Sequence, residues 1–405
     1  MTEQAKVPAI RFAGFTDPWE QRKASEVFQI VDDRGHPTLP VLSATQNQGM
    51  IYRDDSGRYI GHDESNEIGY KRVLPGDFVV HLRSFQGGFA HSQYEGITSP
   101  AYTVFRAKEP TSHSDRFWKH WFMSEHFIAG LSTVTYGIRD GRSISVDEFM
   151  NTFSAFPAVE EQAAISRLLD YLDDLITLHQ RKYDKLVVFK KSMLEKMFPK
   201  DGESVPEIRF AGFTDPWEQR KLSEVATFGG GHTPPMADPD NYEDGYVLWV
   251  TSQDVKSNYL DRTTTQITEK GAKELTLYPA GSLVMVTRSG ILRHTLPVAE
   301  LRKPSTVNQD IRVILPQGEC CGEWLLQFFI SHNKELLLEF GKTGTTVESV
   351  DFGKIKDMLL YMPSTVEQQQ IGDFFAKLDS LITLHQRKLE LLQNIKKSLL
   401  DKMFA

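Results

Sequence analysis

Residues 161–198 read EQAAISRLLDYLDDLITLHQRKYDKLVVFKKSMLEKMF, and residues 367–404 read EQQQIGDFFAKLDSLITLHQRKLELLQNIKKSLLDKMF. The letters LITLHQRK occur in both stretches. Apolar side chains recur along each stretch at three- and four-residue spacing, which predicts an amphipathic helix. Pro157 and Pro363 precede the stretches and neither contains an internal proline, so each should form one uninterrupted helix. About 38 residues at about 1.5 Å each make a rod of roughly 57 Å, which needs a partner for its apolar face.

A second repeat precedes each of two domain-sized blocks. Residues 8–27 read PAIRFAGFTDPWEQRKASEV, and residues 206–225 read PEIRFAGFTDPWEQRKLSEV. The two copies differ at Ala9/Glu207 and Ala24/Leu222. The blocks that follow, residues 28–157 and 226–363, show no obvious similarity to each other. The chain therefore consists of two similar repeats, which together form a frame before and after each domain-sized block, and of two blocks that differ in sequence. Internal repeats of this kind indicate the architecture of a protein.

The two repeats predict an α+β protein with two globular domains separated by two long antiparallel helices. Antiparallel pairing would relate one domain and its helix to the other by an approximate twofold axis, in a nearly circular arrangement. The predicted segments are a first domain at 1–158, a central helix at 159–199, a second domain at 200–364 and a C-terminal helix at 365–405.

The composition excludes several classes of protein. A formal net charge of -8 and a pI near 5.9 argue against non-specific coating of nucleic acid by phosphate neutralisation. The start of the chain lacks a basic region followed by an apolar run, and no stretch approaches the roughly 18 apolar residues that span a bilayer. We therefore expect a cytoplasmic protein without membrane contact. The only cysteines, Cys320 and Cys321, are adjacent, which suits neither a disulfide framework nor a zinc site.

The order of these segments resembles the specificity subunits of type I restriction-modification systems, over essentially the whole chain. In that family two variable target-recognition domains alternate with two conserved helical regions, and each domain reads one half of a bipartite, asymmetric DNA site. The similar phrases are FPAVEEQAAI at 156–165, PSTVEQQQI at 363–371, YPAGSLVMVTRSG at 278–290, STVNQDIRVILP at 305–316 and LPGDFVVHLRSFQGGFAHSQYEGITSPAYTVF at 74–105.

The resemblance implies a DNA-reading subunit that is not itself an enzyme. It implies binding to double-stranded DNA and to two copies of a modification subunit, which transfers a methyl group from S-adenosylmethionine to adenine N6. It also implies a restriction and translocase subunit driven by ATP. S-adenosylmethionine, ATP and Mg²⁺ would belong to these partners, so no cofactor is expected in this chain. The helices would set the half-site separation, at about one DNA turn or roughly 34 Å.

Residues that read DNA should lie in loops that carry base-contacting side chains. Arginine suits guanine and asparagine or glutamine suits adenine, while serine, threonine and backbone groups bind phosphates. In the first domain the candidates are Gln46, Asn47, Arg83, Ser84, Gln86, Arg139 and Arg142. In the second they are Thr251, Ser252, Gln253, Arg288, Ser289, Arg293, Asn308, Gln309, Lys342 and Thr343. Arg83 and Arg288 are preferred because each follows an apolar strand, although a solvated turn or a core contact remains open for each residue.

Two other functions remain open at this point. Pro239, Asp240, Asp254 and Lys256 satisfy the loose P-D…D-x-K spacing of a metal-dependent nuclease, in which two carboxylates bind Mg²⁺ near an attacking water. A helical scaffold whose two domains bind proteins is the other alternative. The nuclease predicts Mg²⁺-dependent cleavage by the chain alone, and the scaffold predicts no effect on DNA.

Motifs of the partner chemistry do not occur in this sequence. The N/D-P-P-aromatic tetrapeptide of amino-methyltransferases is missing, since the Pro-Pro pair reads Thr233-Pro234-Pro235-Met236. A phosphate loop ending at Gly341-Lys342-Thr343 would need glycine where Leu336 stands. Residues 229–231 are three glycines without the spacing of a cofactor loop, and we predict a turn there.

The duplicated FAGFTDPWEQRK segments are assigned to assembly. Residues that read two different half-sites should differ, whereas residues that bind two copies of one partner, or cap two equivalent helix ends, should stay the same. The aromatic residues of these segments are Trp19, Trp217, Phe12, Phe15, Phe210 and Phe213. They serve either the domain cores or a docking surface for modification subunits, and the sequence leaves both roles open.

Overall fold

The protein is described from a computed structural model over residues 7–45, 48–57, 64–80, 88–132, 145–200, 202–344 and 347–404. The chain divides into two compact units: the first is Met1–Gln180 with Arg387–Ala405, and the second is Arg181–Gln386. Each unit contains one globular domain and a segment of both long helices. The α+β class with two domains and two long helices is confirmed, while the twofold, circular arrangement stays a prediction.

The first domain mixes short strands and helices and ends in the first long helix. Its elements are β1 Glu20–Lys23, α1 Ala24–Val27, β2 Phe28–Val31, β3 Leu42–Thr45, β4 Gly49–Tyr52, β5 Lys71–Val73, β6 Phe78–Val80, β7 Phe89–His91, β8 Gly96–Thr98, β9 Thr103–Ala107, α2 Asp115–Trp121, α3 Glu125–Ser132, α4 Val146–Met150, β10 Phe153–Phe156 and α5 Val159–Lys196.

A four-stranded antiparallel sheet, in the order β2-β9-β6-β7, organises the first domain. Side chains alternate across this sheet, as strand geometry requires. Phe78 belongs to a large aromatic core that also contains Trp118 of α2 and Leu169 of α5. Its neighbour Val79 belongs to a smaller cluster on β3, β4 and β5. The sheet therefore packs its aromatic face against the helices.

The second domain has more sheet and ends in the second long helix. Its elements are β11 Glu218–Lys221, α6 Leu222–Val225, β12 Ala226–Gly230, β13 Val247–Val250, β14 Tyr259–Leu260, β15 Gln266–Ile267, α7 Glu269–Ala272, β16 Leu283–Val286, β17 Val298–Leu301, β18 Thr306–Val307, β19 Ile311–Pro316, α8 Gly322–Ser331, α9 Asn333–Phe340, β20 Gly341–Lys342, β21 Ser349–Val350, α10 Phe352–Asp357, β22 Leu359–Met362 and α11 Thr365–Lys402.

Two sheets organise the second domain. One has the order β12-β19-β16-β17-β14, and the other has the order β15-β13-β18, in which β13 and β18 are parallel. The fully buried strand β16 separates two cores, as its alternating side chains require. Leu283 and Met285 pack with the helices, whereas Val284 and Val286 pack with β13, β17 and β18.

Both domains begin and end with an equivalent pair of strands. In the first, β1 pairs antiparallel with β10 and Glu20 lies opposite Phe156. In the second, β11 pairs antiparallel with β22 and Glu218 lies opposite Met362. Since β10 leads into α5 and β22 leads into α11, the EQRK strand of each copy is held beside the entry to the helix that ends its own domain. The letters RFAGF, at 11–15 and 209–213, precede this strand and are called the FAGF segment below.

A buried ion pair joins each FAGF segment to that helix. The Arg11 guanidinium donates to both carboxylate oxygens of Glu161, at 2.9 and 2.6 Å. Arg209 makes the same bidentate contact with Glu367, at 2.8 and 2.7 Å. The glutamate side chains are only 2% and 1% exposed. These residues occupy matched positions in the repeats, so the same contact is made in both units.

A buried glutamine completes each helix entry. The Gln162 amide donates to the carbonyl of Pro157, and its oxygen accepts the backbone N–H of Ser114, at 2.9 Å. Gln368 likewise donates to the carbonyl of Pro363 and accepts the backbone N–H of Cys321, at 2.9 Å. The Glu-Gln dipeptide at both helix starts therefore ties each helix to the domain before it.

Within each unit the two long helices run antiparallel. In the second unit Lys190 of α5 donates to Asp379 of α11, and Phe198, beyond the end of α5, packs near Phe375. In the first unit Lys396 of α11 donates to Asp173 of α5. The two ion pairs join equivalent positions of the repeated helices, with the roles of α5 and α11 exchanged.

The ends of the helices enter the domain cores together with the repeated tryptophans. Phe404 packs against Trp19, and Phe198 packs against Trp217, with ring centroids 6.5 and 6.2 Å apart. The tryptophans are 5% and 3% exposed. Of the two roles left open by the sequence, these two residues therefore serve the cores. Among the described helices, none combines the length and apolar character needed to cross a membrane.

We predict that Arg11→Met destabilises the first unit by about 3–5 kcal/mol, because Glu161 would keep a buried charge without its partner. The double variant Arg11→Met with Glu161→Met should recover most of this loss, since no charge then remains buried. Urea unfolding followed by tryptophan fluorescence measures both.

Arg22→Met is the matched control for this prediction. Its ion pair with Glu20 has side chains that are 44% and 55% exposed, so its loss should cost at most about 1 kcal/mol. An Arg11→Met variant as stable as Arg22→Met would show that the buried pair does not hold the helix entry.

Candidate nucleic-acid interface

The DNA-reading residues predicted in the first domain lie outside the described residues. They are Gln46, Asn47, Arg83, Ser84, Gln86, Arg139 and Arg142. The strand expected before Arg83 is present as β6, which is described from Phe78 to Val80. Within the described residues, the predicted loops are therefore those of the second domain.

Several strands of the second domain end at one edge. The backbone N–H of Asn308, after β18, donates to the carbonyl of Val250 at 2.9 Å, and Thr251 follows that carbonyl at the end of β13. The backbone N–H of Thr287, after β16, donates to the carbonyl of Asp310 at 2.8 Å, just before β19 begins. The structure thus brings three of the predicted loops together, those at 251–253, 288–293 and 308–309.

Asp254 holds the loop after β13. One of its carboxylate oxygens accepts the N–H and the hydroxyl of Thr251, and the other accepts the same two groups of Thr264. Burial alone would raise the pKa of Asp254, but these hydrogen bonds outweigh it, so the pKa lies below its usual value. Ser252 is half-buried and Gln253 is exposed on this pinned loop.

Arg288 lies just beyond the end of β16 and is exposed. It forms an isolated antiparallel bridge with Ser349, which also pairs with Lys342 in the β20–β21 ribbon. The Ser289 hydroxyl accepts the backbone N–H of Ile291 and so caps a short turn. Arg288 and Lys342 therefore flank the same residue of β21, although they are far apart in sequence.

Two of the predicted cations already have acidic partners at this edge. Arg293 donates to Glu348, and this hydrogen bond lowers the pKa of the carboxyl below its ordinary value. Lys342 pairs with Asp351 at 2.8 Å, which likewise lowers the pKa of Asp351. Within the described part of the chain, the Arg288 guanidinium has no hydrogen-bond or ion-pair partner. Of the predicted cations in the second domain, Arg288 is thus the most available to a ligand.

The amides after β18 differ in exposure. Asn308 is 6% exposed, and its side chain bonds with both the backbone N–H and the carboxylate of Asp310. Gln309 is exposed, and its oxygen accepts the hydroxyl of Thr233 at 2.5 Å. Asn308 therefore shapes the loop, and Gln309 presents a side chain. Thr343 is exposed after β20.

The sequence prediction missed the loop after β12, and its prediction of a turn at the three glycines is wrong. Gly229 and Gly230 form the end of β12, paired with β19. A Cβ atom at Gly229 would overlap the Tyr278 ring, and one at Gly231 would overlap the carbonyl of Val307. The glycines are needed for close packing, which was the available signal, since glycine within a strand often marks a close approach.

The carboxylates of the nuclease alternative are engaged elsewhere. Asp254 accepts the four threonine hydrogen bonds given above. Asp240 pairs with Lys270 at 2.9 Å, and Lys270 also pairs with Asp238. Each acid thus has a structural partner, and this geometry gives no support to a shared Mg²⁺ site.

A cluster in the first unit has the composition of a metal site. Ligand atoms of His120, Asp170 and Asp173 lie within 4.8 Å of one another. Lys119 pairs with both carboxylates, and Lys396 pairs with Asp173. Burial opposes ionisation of Asp170, but the hydrogen bond with His120 and the Lys119 charge outweigh it and hold its pKa well below its usual range. Two ammonium groups already neutralise the carboxylates, so the cluster is an ion network that joins α2 to both long helices.

Comparison with known proteins relates the chain to one family. Residues 214–394 match the family model described as "Type I restriction modification DNA specificity domain". The chain is 30% identical over 166 residues to the EcoR124I/EcoR124II specificity subunit of Escherichia coli, over 40% of this chain and 41% of that protein. It is 28% identical over 193 residues to the MjaIX specificity subunit of Methanocaldococcus jannaschii, over 46% of this chain and 44% of that protein. The matched segments thus span less than half of these relatives.

A solved structure has the same fold. The type I restriction-modification S subunit from M. genitalium matches 99% of this chain and 99% of its own, with a TM-score of 0.62 and 13% identity. At that identity the likeness concerns the fold alone. Together with the specificity-domain match at residues 214–394 and the curated relatives, it leads to one conclusion: the chain is similar to the specificity subunits of type I restriction-modification systems.

Proposed function

We propose that this chain is the DNA sequence-recognition subunit of a type I restriction-modification complex. Each domain would read one half of a bipartite, asymmetric site, and partner subunits would then methylate adenine N6 or restrict the DNA. The convergence of exposed polar loops at one edge of the second domain carries this proposal. The long helices, each of 38 residues, would set the separation of the two half-sites.

The chain would be non-catalytic and would rely on its partners for chemistry. Two modification subunits would hold S-adenosylmethionine, and a restriction and translocase subunit would use ATP and Mg²⁺. A net charge of -8 favours this division, because partners could supply most of the phosphate contacts. Such a complex would act in the cytoplasm, where the DNA lies.

The repeated frame supports the binding of two copies of one partner. Glu20, Gln21 and Arg22 are exposed on β1, and the same letters are exposed on β11. By contrast, the buried position that follows holds Ala24 in one copy and Leu222 in the other. The other difference, between Ala9 and Glu207, falls at an exposed position. Fold maintenance alone does not require the exposed letters Glu-Gln-Arg to stay the same on both strands, whereas a docking surface shared by two copies of one partner would preserve them.

Exchange of residues 226–363 for the corresponding block of another family member tests the recognition role. In complex with the modification subunit, the exchange should alter one half of the N6-methyladenine motif and leave the other half unchanged. A motif that does not depend on this chain, or Mg²⁺-dependent cleavage of DNA by the chain alone, would contradict the proposal.

We predict that Arg288→Ala weakens discrimination at one base of one half-site by about 1–3 kcal/mol, the usual contribution of an arginine that contacts a guanine edge. Binding of the assembled complex to a panel of single-base site variants measures this loss. Lys334→Ala removes an exposed cation on α9, outside the predicted DNA-reading loops, and should leave the base preferences unchanged. Equal effects of the two variants on base discrimination would show that Arg288 does not contact a base.

We predict that replacing Glu20, Gln21 and Arg22 together by alanine leaves only one modification subunit bound, because the copy on β11 remains intact. The same triple change at 218–220 should also leave one, and both changes together should leave none. Native mass spectrometry of the assembled complex gives the stoichiometry. Asp54→Ala with Asp55→Ala, an exposed acidic pair outside the repeat, is the control. Two modification subunits bound to every variant would show that the repeated strands serve the fold and do not bind these subunits.

A further inference from the structure

A loop that the sequence prediction did not select, residues 261–265, joins β14 to β15 in the second domain. β15 pairs antiparallel with β13, and Leu248 lies opposite Gln266 at the start of β15. The residues that precede Gln266 therefore run alongside the later residues of β13, toward the end of that strand. Because residues 251–253 follow β13, the 261–265 loop lies beside a predicted DNA-reading loop, on the opposite side of β13 from β18.

The Asp254 carboxylate ties these two loops together. One oxygen accepts the backbone N–H and the hydroxyl of Thr251, both at 2.8 Å, and the other accepts the same two groups of Thr264, both at 2.7 Å. Although burial opposes ionisation, these hydrogen bonds keep the pKa of Asp254 below its usual value. The carboxylate is therefore ionised near neutral pH and can only accept, so both hydroxyls must donate to it.

Further hydrogen bonds hold the loop on both sides of its exposed tip. On one side, the carbonyl of Leu260 at the end of β14 accepts the backbone N–H of Arg302 at 2.7 Å. On the other side, the Thr263 hydroxyl donates to the carbonyl of Thr265 at 2.6 Å. The two residues between these anchors are exposed. They stand on backbone that is held from both sides, as a defined contact with a ligand requires.

The two exposed residues are Asp261 and Arg262. Within the part of the chain that the structure describes, the Arg262 guanidinium makes no hydrogen bond and no ion pair. By contrast, Arg293 and Lys342 each have an acidic partner. A guanidinium presents its donors as a planar fork, which suits two acceptors side by side. DNA carries two such pairs of acceptors, the oxygens of a phosphate and the O6 and N7 atoms of guanine.

We propose that residues 261–265 form a further DNA-contacting loop of the second domain, in which Arg262 binds a pair of acceptor atoms on the DNA. Asp254 is the positioning residue that fixes this loop beside residues 251–253. The inference rests on the proposed function and adds a contact to the same recognition edge. Neither Arg262 nor its loop was among the residues predicted from the sequence.

The test measures binding of the full complex, with its modification subunits, to a panel of sites that vary one base pair at a time. Arg262→Gln removes both the charge and the fork of donors. If the fork holds a phosphate, this variant should bind every site about 5-fold more weakly at about 0.15 M salt, with a shallower salt dependence. If the fork holds guanine, discrimination should fall by about 5- to 100-fold at one base pair of one half-site. Either result supports the contact and identifies the group that Arg262 binds.

Lys273→Gln is the matched control for the lost charge. It removes an exposed cation at the end of α7, beyond the other end of β15, and should change neither the affinity nor the base preferences. Equal losses of affinity in Lys273→Gln and Arg262→Gln would reflect the net charge of the chain and would overturn the contact. Wild-type affinity and wild-type base preferences in Arg262→Gln would overturn it as well.

Variants of Thr264 test the positioning role of Asp254. Thr264→Val removes the hydroxyl that donates to Asp254 and should weaken binding about 2- to 3-fold, in the same pattern as Arg262→Gln. Thr264→Ser keeps the donor and should restore wild-type binding. If Thr264 acts only by holding the loop of Arg262, the double variant Thr264→Val with Arg262→Gln should bind like Arg262→Gln alone. Additive losses in the double variant, or wild-type binding by Thr264→Val, would overturn the positioning role.

The outcomes separate this inference from the function on which it rests. A wild-type complex without a bipartite preference would overturn the proposed function itself. A wild-type complex with such a motif, together with an Arg262→Gln complex that binds every site as the wild type does, would overturn only the contact of the 261–265 loop. In every variant the half of the motif that the first domain reads should stay the same, and this half serves as an internal control for folding and assembly.

Discussion

The buried arginine–glutamate pair at each helix entry is the contact on which the architecture depends. Arg11 and Arg209 are the cations that neutralise Glu161 and Glu367, whose side chains are almost completely buried. A buried carboxylate without such a partner would cost several kcal/mol, so the FAGF segment and the first turn of the helix must stay together. This requirement explains why the arginine and the glutamate recur in both copies of a frame whose contents differ.

The long helices add further contacts to the domain cores and to each other. The helix that leaves one domain ends in the other unit, where its final phenylalanine packs near the repeated tryptophan. Asp173 with Lys396, and Asp379 with Lys190, add one ion pair inside the helix pair of each unit. The domain cores and the helices therefore share side chains, and neither can be treated as an independent module.

Under the proposed function, the candidate interface of this acidic chain would be a surface for DNA. Arg293 and Lys342 are balanced by Glu348 and Asp351, so the edge carries local ion pairs and little uncompensated charge. Phosphates would compete with these half-buried acids for Arg293 and Lys342, whose own side chains are 62% and 58% exposed. Selectivity would then depend on oriented polar groups, and phosphate attraction would contribute less.

The sequence alone determined the repeated frame, the two long helices and the α+β class, because repetition and helical periodicity are local signals that do not depend on which strands become neighbours. It also identified β16 and the position of Arg288 after it, since an apolar run that follows a turn can be recognised from neighbouring residues alone. Only the tertiary structure decided that residues 251, 288 and 308 share one edge, because that follows from the parallel pairing of β13 with β18 and the antiparallel pairing of β16 with β19. It also assigned Asp254 to a structural hydrogen-bond network and placed Thr233 beside Gln309, 76 residues away. These contacts depend on long-range packing of short strands, which carries no periodic pattern along the chain.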